Sequence, residues 1–159
     1  MAAGVGLVAV SPTLEFPGVP RFSPEHFARI RIADPLRRKQ LDTGLQQLSE
    51  EGAAQVFYSD EHLSGGTPIV GAVGQLQFDV LLHRLEHEYG VRIKLDRLSF
   101  DRARWVTGPA DAIQRAGQGI GRLLVYDSKE LPLILFENGY TLRTVQEREK
   151  ELEFHAVAP

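Results

Sequence analysis

Basic residues stand at every second position of two short apolar segments, a spacing that can gather positive charge on one surface. Arg29 and Arg31 alternate with apolar residues in "ARIRI", and Arg92 and Lys94 do so in "VRIKL". This alternation is the period of a half-buried β-strand, whose side chains point to the two faces of a sheet in turn. The sequence therefore predicts two strands that each bury an apolar face and expose two cations.

Cations gathered in this way could bind the phosphates of a nucleic acid. The 159-residue chain has a net charge of -3, so such an affinity would have to come from a local patch. Two other interpretations remain open, namely a charged strand edge that deters aggregation and a surface that pairs with acidic groups of an adjacent domain. No aromatic pair is interleaved with these cations, so base stacking by the sheet is not expected. Further basic residues could flank the patch: Arg21, Arg37, Arg38 and Lys39.

Two other patterns only partly resemble functional motifs. His83 and His87 have the four-residue spacing of two metal ligands on one helical face, but the position of Glu86 does not fit H-E-x-x-H and no third ligand is evident. We interpret them as part of a solvated helix face. The glycines of "SGGTPIVGAVG" and "GQGIGR" lack the Lys and Ser/Thr spacing of a P-loop or the strand-to-helix context of a dinucleotide motif. Neither segment predicts nucleotide binding, and no catalytic set stands out.

The composition is that of an ordinary globular protein, with 43% hydrophobic and 25% charged residues. There are no cysteines, which excludes disulfides and thiolate metal sites and fits a cytoplasmic location. The opening "MAAGVGLVAV" is apolar but lacks the basic region of a signal peptide. No apolar run approaches the length of a membrane span, so we expect no membrane contact.

The cationic segments belong to a larger pattern that alternates between strand and helix periods. Strands are predicted at "ARIRI", "AAQVFYS", "TPIVGAVG" and "VRIKL". The first helix follows Asp34-Pro35, an N-cap and a proline at the first helical position, and carries the leucine stripe of "LDTGLQQL" up to Gly52. The second helix has an apolar stripe from Phe78 to Tyr89 and ends at Gly90.

This β-α-β-β-α-β order is that of the ferredoxin-like fold, an α+β sandwich. Both helices would bury their stripes against one face of an antiparallel sheet, which leaves the other face to solvent or to a partner. The first and last strands are neighbours in that sheet. The four alternating cations are therefore predicted to meet on its open face.

The chain divides into three regions on this pattern. Residues 1–22 belong to a proline-rich opening that reads as the end of a preceding domain and a stiff connector. Residues 23–96 form the ferredoxin-like subdomain, and residues 97–159 form a second small α/β subdomain with a further antiparallel sheet. In the latter, strands are predicted at "RARWV", "RLLVYD" and "LPLILFE", and "GPADAIQRAGQGIG" starts like a helix although it carries three glycines. A charged helix follows Asn138-Gly139 and a short strand can follow at Leu152–Val157, so the element order loosely repeats that of the first subdomain.

Several long segments resemble one family in sequence, order and spacing. "FPGVPRFSPE", "DPLRRKQLDTGLQQLSEEG", "VGAVGQLQFDV", "ARWV" and "LRTVQERE" resemble the C-terminal region, domain III, of bacterial peptide chain release factor three, a translational GTPase. The resemblance covers nearly the whole chain from about Leu14, and it becomes patchy between Thr107 and Pro132. "LQFDVLLHRLEHEYGV" is also similar to the third domain of elongation factor G, a ferredoxin-like module.

The resemblance implies a role in translation termination. The family consists of a G domain, a β-barrel and this C-terminal region, and it promotes dissociation of class I release factors from the ribosome. Residues 1–22 would then be the remnant of the barrel, and GTP and magnesium would be cofactors of the full-length family rather than of this chain. The expected partners are the small ribosomal subunit, both rRNA and protein, the G and barrel domains and, indirectly, the class I release factors.

Two other functions are alternatives to this one. A stand-alone ferredoxin-like module that senses a small ligand would need a pocket at a sheet edge and usually a dimer. A small enzyme would need a convergent catalytic set, which the sequence does not offer. We therefore expect no enzymatic activity and no nucleotide-binding residues on this chain, and a docking function for the cationic face.

Overall fold

A computed structural model describes residues 23–59 and 67–159 of the chain. Within these ranges it contains two four-stranded antiparallel sheets and four α-helices. The proline-rich opening with Arg21 and the predicted polar turn "DEHLSGG" lie outside the described residues. The elements in chain order are β1 (His26–Ile32), α1 (Arg38–Glu50), β2 (Gln55–Phe57), β3 (Ile69–Ala72), α2 (Gln75–Tyr89), β4 (Ile93–Leu98), β5 (Arg102–Thr107), α3 (Ala110–Ala116), β6 (Arg122–Tyr126), β7 (Pro132–Phe136), α4 (Gly139–Arg148) and β8 (Glu153–His155).

The first sheet has the strand order β2-β3-β1-β4, with every neighbouring pair antiparallel. This is the ferredoxin-like order that the sequence predicts. The helices α1 and α2 bury their apolar stripes against one face of the sheet. The core of this layer comprises Ala28, Ile30, Leu41, Leu45, Leu48, Val56, Val70, Ala72, Phe78, Leu81, Leu85 and Val91.

The predicted helix boundaries are confirmed with one refinement at the start of α1. The carboxylate of Asp34 accepts a hydrogen bond from the backbone N–H of Leu36 at 3.0 Å. A single 3-10 turn, Pro35–Arg37, separates this cap from α1. At the other end of the second helix, Gly90 adopts a left-handed conformation with φ +67° and satisfies the last carbonyls of α2.

The second sheet has the strand order β6-β7-β5-β8, again with antiparallel neighbours. Its elements follow the order β5-α3-β6-β7-α4-β8, so the second half repeats the topology of the first. The helices α3 and α4 cover one face of this sheet. That core comprises Val106, Ala112, Ala116, Ile134, Phe136, Leu142, Val145 and Leu152.

The two sheets pack against each other through the faces that their helices do not cover. Phe27, Phe57 and Ile69 of the first sheet share a buried cluster with residues of the second, among them Trp105 and Leu133. The expectation of an open face is therefore wrong for one end of the first sheet. The alternation of β1 places Phe27 on the same face as its two arginines, and a large apolar side chain there gains stability by burial.

The contact between the halves also includes polar groups. Tyr58 and Tyr126 exchange two backbone hydrogen bonds of 2.8 and 2.7 Å between the sheets. The indole N–H of Trp105 donates to the buried carboxylate of Asp127 at 3.0 Å. That carboxylate also accepts backbone N–H bonds, so it is satisfied within the core. The expected boundary after residue 96 falls inside β4, which ends at Leu98.

None of the helices within residues 23–59 and 67–159 is both long enough and apolar enough to cross a bilayer.

Candidate cationic interface

The central strands β1 and β4 bring three of the predicted cations onto one face of the first sheet. Arg31 lies directly opposite Lys94 in the antiparallel register, and Arg29 lies opposite Asp96. Directly opposed residues point to the same face of a sheet and approach closely. Arg29 is half-buried, whereas Arg31 and Lys94 are exposed. We name Arg29, Arg31 and Lys94 the sheet-face cations.

An acidic residue lies within this group, and sequence reasoning missed it. The Nε atom of Arg31 is 2.6 Å from Oδ2 of Asp96. Both side chains are about half exposed, at 60% and 47%, so this ion pair contributes at most about 1 kcal/mol to stability. The sequence does indicate this acidic residue, because Asp96 stands two positions after Lys94 and so continues the alternation just beyond "VRIKL".

The other two sheet-face cations are not neutralised by carboxylates of the described residues. The guanidinium of Arg29 reaches the hydroxyl of Thr67, with its Nη1 atom 3.5 Å from Oγ1. In residues 23–59 and 67–159, no carboxylate lies within 4 Å of Arg29 or Lys94. The face therefore carries more positive than negative charge at the end away from Phe27.

Arg92 does not join this group, which corrects the prediction of four cations on one face. It precedes β4, and its Nε atom lies 3.7 Å from Oε1 of Glu86 on α2. The reason is the tight left-handed turn at Gly90, after which the strand begins only at Ile93. Arg92 thus pairs across the end of the helix layer while its side chain stays 78% exposed.

The three described flanking residues lie on the turn before α1 and on its first residues. Arg38 pairs with Asp42 one helical turn later, with Nε 3.1 Å from Oδ1. Arg37 and Lys39 are exposed and have no carboxylate within 4 Å among the described residues. Arg37 approaches Gly90, so the flanking residues lie near Arg92 rather than over the centre of the sheet.

The histidine pair occupies a solvated helix face, as the sequence predicts. His83 and His87 are both exposed on α2, with ring centroids 4.2 Å apart. The described residues contain no group of three or more histidine, aspartate or glutamate side chains that could hold a metal ion.

Arginines on the helix surfaces form ion pairs with neighbouring carboxylates. Arg84 on α2 donates to Glu88 at 2.7 Å and to Glu51 at 2.9 Å, which ties α2 to the end of α1. The hydrogen bond from Arg84 lowers the pKa of the Glu88 carboxyl. Arg84 is half-buried in this bridge, and its two carboxylate partners are exposed.

The described residues form an α+β fold built from two ferredoxin-like units, and the first of these units bears the sheet-face cations. The family model of the class II release factor RF3, C-terminal domain, matches residues 16–146, and the chain belongs to this family.

The relatives are peptide chain release factors 3 of bacteria. The protein of Symbiobacterium thermophilum is 46% identical over 143 residues, which cover 90% of this chain and 27% of the relative. The protein of Gloeothece citriformis is 42% identical over 146 residues, which cover 92% of this chain and 27% of the relative. The protein of Synechococcus elongatus is 40% identical over 160 residues, which cover 97% of this chain and 29% of the relative. The chain thus spans less than a third of the length of these relatives.

Proposed function

We propose that this chain is the ribosome-docking and interdomain-coupling module of a translation-termination factor. In this proposal the full-length factor is a GTPase that promotes release of class I release factors from the ribosome. GTP and magnesium would bind to a G domain outside the matched region. Family membership and the names of the relatives support the setting in termination.

The sheet-face cations are the observation that carries the docking part of the proposal. Three cations in register on a rigid sheet present a fixed pattern of charge, and only one of them has a carboxylate partner within the described chain. Such a pattern suits rRNA phosphates, which are contacted by arginine and lysine in a salt-dependent way. The coupling part rests on the packing of the two sheets, because a shared core makes the halves move together.

Co-sedimentation of the chain with purified small ribosomal subunits across a salt titration tests the proposal. We expect saturable binding that weakens as salt rises. The double variant Arg31→Glu/Lys94→Glu should bind about tenfold or more weakly, because two phosphate contacts become repulsive. The variant Lys129→Glu serves as a single-charge control in the turn between β6 and β7, with Lys94→Glu as its matched counterpart.

Two results would contradict the docking function. The first is that the parent chain does not sediment with the subunits at any salt concentration. The second is that Lys94→Glu and Lys129→Glu weaken binding equally, which would indicate a response to net charge and not to the sheet face.

A further inference from the structure

A second group of arginines lies beside α4, in the half of the chain to which the sequence assigned no site. Arg102 belongs to β5 and Arg143 to α4, and the fold brings both side chains close to Gly139. A Cβ atom placed on that glycine would be 3.2 Å from Nε of Arg102 and 3.3 Å from Nη1 of Arg143. Two guanidinium groups from distant parts of the sequence are therefore held close together.

A third arginine continues the group along β5. Arg104 is two residues beyond Arg102 and so shares its face of the sheet. Burial lowers the pKa of Arg104, and the neighbouring charge of Arg102 lowers it further. Its Nη1 atom donates to the carbonyl of Ala103 at 2.7 Å, which replaces only part of the lost hydration.

Few carboxylates offset these charges. Asp101 lies 3.6 Å from Arg102, measured from Oδ1 to Nε. Elsewhere in the described ranges no carboxylate comes within 4 Å of Arg104 or Arg143. A cluster of like charges with so little compensation is costly in the free protein, and a bound anion would offset that cost.

The surroundings show where such an anion would lie. A surface hollow of about 210 Å³ adjoins Arg102 and Arg104, but Glu25 and Asp101 also line it. These two carboxylates make the hollow itself a poor site for an anion, whereas the side of Arg102 that faces Gly139 and Arg143 has no carboxylate within 4 Å of Arg143 among the described residues. Tyr140 lies there, one residue after Gly139, and is 71% exposed.

An exposed tyrosine beside arginines fits one class of partner best. A guanidinium binds phosphate through two parallel hydrogen bonds, and a free aromatic ring stacks on an unpaired base. Tyr140 and Arg143 are three residues apart on α4, so both project from the same side of the helix. An acidic protein segment would pair with the arginines but has no need of an exposed ring.

We propose that Arg102, Arg143 and Tyr140 form a contact site for single-stranded RNA, in which the arginines hold phosphates and the tyrosine stacks on a base. The site rests on the proposed function, because a factor that acts on the ribosome meets exposed rRNA. It is separate from the sheet-face cations, since α4 covers the opposite side of the second sheet from the first sheet.

Fluorescence anisotropy of a labelled, mixed-sequence 15-nucleotide RNA with the intact chain tests this site. The double variant Arg102→Gln/Arg143→Gln should weaken binding about tenfold at low salt and make the slope of log affinity against log salt less steep by about 1.4, the value for two single-strand phosphate contacts. The control Lys129→Gln/Lys150→Gln removes the same charge at exposed positions outside both cationic groups and should change affinity less than about twofold. Thermal melting checks that all variants fold.

The stacking role has its own pair of variants. Tyr140→Ala should weaken RNA binding about fivefold or more, whereas Tyr140→Phe should keep it, because the ring and not the hydroxyl stacks. The proposal is overturned if the arginine variant binds RNA as the parent does, or if polyglutamate of equal charge competes as well as RNA. The docking proposal is tested separately by Arg31→Glu/Lys94→Glu. If that variant loses binding to small subunits while the arginine and tyrosine variants bind RNA as the parent does, the docking function stands and only the RNA site fails.

Discussion

The two halves of the molecule have the same strand order and helix placement, yet they distribute their charges differently. In the first half, Arg31 has a carboxylate partner across the sheet and Arg92 has one on α2. In the second half, Arg102 and Arg143 both lie beside Gly139, and Asp101 is the one carboxylate within 4 Å of either in residues 23–59 and 67–159. The comparison shows that a shared topology fixes where a backbone runs and leaves the charge of the surface to individual side chains.

The halves also differ in how they use the sheet-to-sheet contact. The second sheet contributes most of the shared cluster, including Trp105, and the first contributes three large apolar residues. Neither sheet could expose these side chains to water without loss of hydrophobic stabilisation. We therefore regard the chain as one cooperative unit built from two similar layers.

The largest effect is expected from Trp105→Ala, which breaks the shared cluster. Trp105 is fully buried and its indole N–H donates to Asp127, so the change leaves a cavity and removes one donor from a buried carboxylate. We expect a loss of about 3–5 kcal/mol in the free energy of unfolding. Urea unfolding followed by circular dichroism should show one transition at lower urea. Two separate transitions in the parent would contradict a single cooperative unit.

A moderate effect is expected at the edge of the same interface. A side chain at Gly71 would place Cβ 2.5 Å from Cγ of Pro24 and 2.8 Å from the ring of Phe57, so Gly71→Ser should cost about 1–3 kcal/mol. The same substitution at Gly74, where nothing lies within 4 Å, provides the control. Gly74 is the N-cap of α2, and serine is a good cap, so stability should stay equal or rise slightly. Equal losses at both positions would disprove the tight contact.

A smaller effect is expected from Asp96→Asn, which sharpens the comparison of the charged surfaces. This change removes the carboxylate that partly neutralises the sheet-face cations. Affinity for small ribosomal subunits should rise about two- to fivefold, and stability should change by less than about 1 kcal/mol. Co-sedimentation and urea unfolding measure the two quantities. A weaker complex would indicate that Asp96 itself contacts the partner.

The smallest effect is the pH dependence of stability that arises from carboxylates paired with arginine, of which each half has one example. Hydrogen bonds from Arg84 lower the pKa of Glu88, and those from Arg115 lower the pKa of Asp111. A carboxyl whose pKa is lower in the folded state stabilises the fold above its unfolded pKa, about 4 for both types, and loses that contribution as pH falls through the folded value. The urea midpoint of the parent should therefore decrease slightly more below pH 4 than that of Arg84→Gln. An equal decrease of the urea midpoint below pH 4 in both proteins would show that the Arg84 bridge contributes no stability.

Much of the fold could be predicted because its signals are local. The structure confirms the alternation in β1 and β4, the leucine stripe of α1 and the end of α2 at Gly90. Each of these is a property of consecutive residues. The repeated order of the second half was also visible in outline. Three of the four alternating cations came together as expected, because the register of neighbouring strands follows from the apolar pattern.

By itself, the sequence determined most of the helices and strands, the ferredoxin-like order of the first sheet and the family, since periodicity, caps and long motifs are properties of consecutive residues. Only the tertiary structure decided that the sheets pack face to face, that Arg92 turns to Glu86, and that Arg102 meets Arg143 beside Gly139. The physical reason is that such contacts join residues far apart in the chain. Their distances depend on how whole layers pack, which no local pattern encodes.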